Sequence, residues 1–487
     1  MTVEEKEELA CQWRVVLTPH PLQRVGAYAL AALAGERDPQ RLGPEGFERA
    51  VSDLARHSAQ AAVRDSKAVD GFWQKVSLSY FPNAPMNHPG RRKGKTVDGR
   101  PKTDEDVREA VRVWLRAPDE ADRPSADCVL CGRAAAGFYG KRDVVLAESE
   151  AYRNTTPRGH DGMALCWPCL ACFYALPYGC QLTGGSSVAL HSWNEPFLAQ
   201  VVGRQTDRNR RLAETGDETR KQAEPRELVA LRALRAFSGR LPEGVELLVF
   251  NNNNRGQLLD TYSLSQPLAE WLRRTCRLPD LRLGFSVVAR AHVTSNVPGL
   301  VGLARNAFRE PARVVSTGVG GLATLMTGPD PDLDAAAKTA ELLKTFVTEV
   351  MQVNEKDLAE IRSTGHKIAS QVAEQGSRSP LGDLRRYLRD SRKLRSWLTK
   401  QAVAWAGREQ ADRQGPLLVS ERAYVLLFDP GADNLAWLHR DLLLVTVLEE
   451  LARLGWVADD GKTSDEVLSE LDASDRKFLN EDEEEGQ

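Results

Sequence analysis

A chain of 487 residues, at roughly 150 residues per domain, predicts about three domains, and 42% hydrophobic with 27% charged residues excludes a disordered or fibrous protein. The formal net charge of −3 excludes bulk attraction to nucleic acid, so any such contact must come from local patches. No stretch reaches ~18 uninterrupted apolar residues, and the acidic opening MTVEEKEELACQ has no signal-peptide pattern, so the expectation is a cytoplasmic protein with no membrane span.

Apolar residues at helical spacing predict helices from Val25 to Ala34 and from Gly46 to Val63, separated by Gly35 and Asp38-Pro39. The following KAVDGFWQKVSLSYFPNAPMNHPGRRKGKTVDGRPK loses that period and is rich in Pro, Gly, Asn and basic residues, which predicts an exposed loop. A helix resumes from Asp104 to Leu115, capped by Thr103 and carrying acidic residues in its first turn.

The next segment holds six of the eight cysteines between Cys128 and Cys180. In a reducing compartment, clustered thiols read as metal ligands rather than disulfides. Cys128 and Cys131 form one C-x-x-C knuckle, and Cys166 and Cys169 form a second. Four soft thiolates at that spacing suit a closed, structural Zn2+ site with no open position for catalysis. Gly132 lets the chain turn at the first knuckle. Cys172 and Cys180 sit in the apolar CLACFYALPYGC and read as core residues. Six buried or redox-active thiols are the alternative reading of the cluster.

Beyond the knuckles, SSVALHSW reads as a strand, and GRQTDRNRRLAETGDETRKQAEPRE as a loop or exposed helix. VELLVFNNNNRGQLLDTYSLSQPLAEWLRR reads as strand, polar turn, strand and helix. LRLGFSVVARAHV reads as a further strand and TGVGGLATLMTGPDPD as a linker. From Leu333 to Leu454 the period is helical, and NEDEEEGQ is a solvated acidic tail. The expected fold class is α+β multidomain: a mixed N-terminal part with an inserted zinc-knuckle subdomain, then an all-helical C-terminal bundle. The divisions fall at 1–125 (helices and loops), 126–200 (zinc knuckle), 201–330 (mixed α/β), 331–470 (helical bundle) and 471–487 (acidic tail).

The order of these pieces resembles the large subunit of CRISPR Cascade surveillance complexes, in the zinc-knuckle branch of type I-B and related systems. PLQRVGAYALAALAGERDPQRL, FPNAPMNHPGRRKGK, CVLCGR, the RDVVLAESEAYRNTTPRGHDGMALCWPCLACFYALPYG stretch and LVFNNNNRGQLLDTYSL carry the resemblance over about the first 300 residues. The four-asparagine run, Cys172 and Cys180 depart from the usual pattern. The resemblance implies a non-enzymatic subunit that reads a short protospacer-adjacent motif on double-stranded target DNA and supports crRNA-guided R-loop formation in antiviral defence. Its implied partners are the other Cascade subunits, crRNA, target DNA and a separate helicase-nuclease. In several such systems the helical C-terminal part is also made separately; Met326 and Met351 are candidate internal starts.

Three segments are candidate nucleic-acid contacts. NAPMNHPGRRKGK offers Asn83, Asn87, Arg91, Arg92, Lys93 and Lys95, or is only a solvated basic loop. NNNNR offers Asn251, Asn252, Asn253, Asn254 and Arg255 at a strand end, or is a plain hairpin turn. LRRYLRDSRKLRSWLTK offers Arg385, Arg389 and Arg392 on the outer face of a helix, or a merely solvated face. Two rival functions remain. An HNH-like zinc nuclease needs a His beside the Asp of the intervening strand, where Asp143 is followed by Val144 and Val145, and a metal-binding residue after the second knuckle, where Leu170 and Ala171 stand. A zinc-stabilised scaffold would bind protein partners alone.

Overall fold

Helix α1 (Pro21–Leu33) opens on a proline, whose missing N–H costs nothing in a first turn, and His20 Nδ1 accepts the Gln23 N–H at 3.3 Å as its cap. The computed structural model describes residues 13–64, 71–87, 94–147, 162–183, 185–215, 225–254, 256–328, 330–377, 379–408, 415–429 and 435–457. These form two compact units, Met1–Gln266 and Pro267–Gln487.

In the first unit, α1 is followed by α2 (Pro44–Ala62), α3 (Phe72–Tyr80) and α4 (Asp104–Trp114). The short strands β1 (Gly137–Tyr139) and β2 (Met163–Leu165) pair antiparallel, with Gly137 opposite Leu165. Helix α5 (Trp167–Gly179) comes next, and every one of its residues is buried. It reads as uniformly apolar because α1, α2 and α6 (Glu195–Thr215) all pack against it. At Gly26 the α1 backbone lies so close to α5 that an added Cβ would fall 1.9 Å from the Cys172 carbonyl oxygen. Asn209 on α6 lies within 2.7–3.2 Å of the carbonyls of Pro177, Tyr178 and Cys180, satisfying the end of α5.

Strands β3 (Gln181–Thr183), β4 (Ser186–His191), β5 (Val245–Asn251) and β6 (Leu258–Leu264) form an antiparallel sheet in that order, with α7 (Arg226–Ala236) packed on β5. The β5–β6 register sets Asn251 opposite Leu258, so the asparagine run leaves the sheet at a hairpin end.

Among the described residues of the second unit every regular element is a helix: α8 (Gln266–Arg277), α9 (Pro279–Ala291), α10 (Gly299–Arg309), α11 (Ala312–Thr327), α12 (Leu333–Thr345), α13 (Glu355–Gln375), α14 (Ser379–Tyr387), α15 (Ser391–Ala406), α16 (Glu421–Phe428) and α17 (Ala436–Arg453). A single π-helical stretch, Phe346–Val350, extends α12. Helix α12 packs on α9, α11 and α17, and α13 packs on α17.

The architecture is thus α+β with a cysteine cluster and a helical C-terminal part. Several local expectations change. LRLGFSVVARA lies in helix α9 rather than in a strand, and TGVGGLATLMT lies within α11 rather than forming a linker. Helical packing therefore begins at Pro267, not at 331. Glycines supply the reason. A Cβ at Gly284 would sit 2.7 Å from the Lys338 carbonyl oxygen, and one at Gly318 2.7 Å from Leu343 Cδ2, so these residues are small because helices cross there. The segment read as an exposed loop contains α3, whose Phe72, Trp73, Val76 and Tyr80 are at most 2% exposed. Thr103 does cap α4: its hydroxyl accepts the Asp106 N–H, and the Asp106 carboxylate accepts the Thr103 N–H. No described helix is long and apolar enough to cross a membrane.

Candidate metal centre and nucleic-acid interface

The first knuckle is a tight turn. Gly132 N–H donates to the Cys128 carbonyl at 2.8 Å, and Cys128 N–H donates to the Arg133 carbonyl at 2.7 Å. Gly132 has φ +73°, a left-handed conformation that a Cβ would strain. Val129 N–H donates to the Ala164 carbonyl and Ala136 N–H to the Leu165 carbonyl, which stitches this turn to β2. The residue after β2 is Cys166, which is also the N-cap of α5, and Cys169 follows within the first helical turn behind Pro168. A hairpin and a helix start therefore bring the two knuckles to one point.

The sulfurs of Cys128, Cys131, Cys166 and Cys169 all lie within 4.8 Å of one another, and Cys131 and Cys166 Sγ are 3.5 Å apart. A tetrahedral zinc with thiolate bonds of about 2.3 Å requires sulfur–sulfur edges of about 3.8 Å, so the cluster is compatible with a zinc site. Cys128, Cys166 and Cys169 are buried, and Cys131 is partly exposed. Crowding couples the four thiols, and hydrogen bonds from Cys128, Cys166 and Cys169 hold the Cys131 thiol below its ordinary value. Arg133 Nε donates to Cys131 Sγ at 3.4 Å, and its Nη2 to Cys166 Sγ at 3.7 Å. Sequence spacing identifies the four cysteines but gives no sign of Arg133's role. Cys172 and Cys180 stand outside the cluster, fully buried, with burial pushing each thiol up to about 12. Asp143, the residue at issue for a nuclease, accepts from Trp114 Nε1 at 2.7 Å and from Tyr174 OH at 3.2 Å.

The asparagine run resolves into different jobs. Asn252 is fully buried. Its Nδ2 donates to the Tyr80 carbonyl at 2.7 Å and the Lys141 carbonyl at 3.2 Å, and its Oδ1 accepts from Leu146 N–H at 3.2 Å and Gln257 Nε2 at 2.8 Å. It ties three segments to the end of β5, and base reading is closed to it. Asn251 Nδ2 donates to the Gly185 carbonyl at 2.7 Å, while its Oδ1 accepts the Asn253 N–H. Asn253 Oδ1 accepts the Gly256 N–H, and its carbonyl accepts Lys141 Nζ at 2.8 Å. Asn254 is exposed and donates to Asn83 Oδ1 at 2.9 Å, and Asn83 is exposed as well. Two of the sequence candidates therefore meet at one edge of the first unit.

Asn87 closes a short turn, Pro85–Asn87, just after Asn83. Arg91, Arg92, Lys93 and Arg255 lie outside the described residues. Lys95 is exposed and begins a turn closed by Gly99, beside which Arg100 binds Asp106 through two 2.7 Å hydrogen bonds.

In the second unit, the Arg-rich segment is two helices rather than one, because Asp390 leaves the helical conformation and accepts the N–H groups of Arg392 and Lys393 to cap α15. Leu384, Leu388, Leu394, Trp397 and Leu398 are buried beneath it. Arg389 and Arg392 are exposed and Arg385 is partly buried. Arg395, next along α15, lies over the rings of Tyr424 and Phe428, 5.4 Å from each centroid. No protein-family model matches the chain, and no curated protein matches it significantly.

Proposed function

We propose that this chain is the DNA-recognising large subunit of a type I-B-like Cascade, acting in the cytoplasm without enzymatic activity of its own and reading the protospacer-adjacent motif. Zinc held by Cys128, Cys131, Cys166 and Cys169 would serve as a structural cross-link between the β1–β2 hairpin and α5. The observation that carries the reading is the Asn83–Asn254 hydrogen bond, with Lys141 beside it on the Asn253 carbonyl. Two exposed amides from distant parts of the sequence share one edge, held by the buried Asn252, and the basic Arg91–Lys93 come eight to ten residues after Asn83 in the sequence. Amides that can both donate and accept are suited to base edges, and basic side chains beside them to phosphates. Base pairing with crRNA would read the long target, leaving the protein only the short motif.

The test is a motif-selection assay on the reconstituted complex with crRNA and a randomised duplex library. Asn83→Ala with Asn254→Ala is expected to change which motifs are retained. Charge reversal at Arg91, Arg92 and Lys93 should weaken all duplexes alike and flatten the salt dependence, by about one unit of slope for each phosphate that is no longer neutralised. Unchanged motif preference and unchanged salt dependence together would favour a scaffold that touches only protein partners.

A further inference from the structure

The four cysteines are not equally protected. Cys128, Cys166 and Cys169 are 2%, 4% and 1% exposed, whereas Cys131 is partly open, so an electrophile or a competing chelator meets the cluster first at Cys131. Arg133 lies at that opening. Its Nε and Nη2 reach one sulfur from each knuckle, Cys131 at 3.4 Å and Cys166 at 3.7 Å, and those two sulfurs form the 3.5 Å edge of the cluster. The fork spans the edge along which the two knuckles would separate.

We infer that Arg133 is a positioning residue that governs metal release, clamping the Cys131–Cys166 edge and lowering the reactivity of the Cys131 thiolate. The inference rests on the reading that the cluster holds zinc. Four thiolates around Zn2+ carry a net charge of −2, and a guanidinium against two of the sulfurs offsets half of it within a partly buried site. Each N–H···S bond also draws electron density from a sulfur lone pair, so the thiolate attacks electrophiles more slowly. Planarity matters as much as charge. A guanidinium donates from two nitrogens at fixed separation, which a lysine ammonium cannot reproduce across two sulfurs. Groups that hydrogen-bond metal ligands typically change metal affinity 10- to 100-fold when removed.

The experiment uses the full chain as wild type, Arg133→Gln, Arg133→Lys and, as a charge-matched control, the exposed Arg142→Gln. Zinc content is measured after saturation, followed by competition with a chromogenic chelator and by zinc release on adding iodoacetamide. In the last assay the Cys131 sulfur forms a bond to carbon, iodide leaves, and the metal loses a ligand. The expected result is about one zinc per saturated chain in every variant. Arg133→Gln should show roughly 10- to 100-fold weaker retention with faster alkylation-triggered release, Arg133→Lys should fall between, and Arg142→Gln should match wild type. Wild-type retention and release in Arg133→Gln would overturn the inference while leaving the zinc reading intact. Wild-type protein that takes up no zinc would overturn both. Failure of both Arg133 variants to fold at saturating zinc would assign Arg133 to the fold and overturn its role in metal release.

Discussion

Replacing Asn252 by alanine should destabilise the first unit far more than replacing any of its three asparagine neighbours. The fully buried side chain makes four hydrogen bonds, to the Tyr80 and Lys141 carbonyls and from the Leu146 N–H and the Gln257 amide. Its own N–H also donates to the Ser79 carbonyl at 2.9 Å, a bond that alanine keeps. The Gln257 amide retains the Ala147 carbonyl at 2.7 Å, so its loss is partial. The backbone groups of Tyr80, Lys141 and Leu146 lose their side-chain partner. At about 1–3 kcal/mol for a buried group left unsatisfied, discounted for water reaching Lys141 and Leu146, the expected cost is about 3 kcal/mol. That corresponds to a fall in melting temperature of roughly 6–12 °C for a unit of this size. Asn254→Ala removes one exposed hydrogen bond to Asn83 and should stay within about 0.5 kcal/mol. Thermal and urea unfolding followed by tryptophan fluorescence measures both variants. Equal melting of Asn252→Ala and wild type, or a larger loss in Asn254→Ala, would refute the division of this loop into a buried tie and an exposed surface.

Gly26→Ala should cost about 3 kcal/mol, because the new methyl meets the Cys172 carbonyl, backbone rather than a side chain that can swing away; a variant melting within about 1 °C of wild type would contradict the α1–α5 crossing. His57 is buried against Tyr178 and Arg56, with Asp53, Arg210 and Glu214 nearby, and desolvation followed by the Arg56 charge holds its pKa below 6.5. The unfolded chain then binds a proton that the folded chain refuses, so this residue's contribution is intact above pH 6.5 and is lost as pH falls toward the folded value. Between about pH 7.5 and about pH 5.5 it should remove up to about 1 kcal/mol, and His57→Leu should flatten the wild-type pH dependence by that amount in urea titrations. A fragment starting at Met351 lacks α11 and α12, both of which pack on α17, and should aggregate, whereas one starting at Pro267 should stay monomeric and melt cooperatively; size-exclusion chromatography with circular dichroism of the two decides it.

What the sequence makes legible here depends on whether a residue's role is local. The C-x-x-C spacing is a local constraint, and it leads directly to four sulfurs within 4.8 Å. The Thr103 cap and the β5–turn–β6–helix order are local too. Helices α9 and α11 do not read as helices in sequence because their glycines are tertiary features: Gly284 and Gly318 make room for the α12 backbone and for Leu343, and no short window of sequence reveals that. Helix α3 is hidden by the loop-like residues on either side of it, since nine residues of helix show barely two apolar periods. Asn251–Asn254 look equivalent in sequence, yet burial separates Asn252 from Asn254, and only the tertiary neighbours of β5 distinguish them. Arg133 carries no sequence signal because its partners are sulfurs on both knuckles, 2 and 33 residues away.

The measurement that bears most directly on the central proposal is affinity purification of this chain co-expressed with its neighbouring genes and a CRISPR array, followed by RNA extraction and zinc analysis. A Cascade large subunit should come out in a multi-subunit particle containing crRNA and about one zinc per copy of this chain. A solitary zinc-loaded protein, with no RNA and no partner subunits, would contradict it.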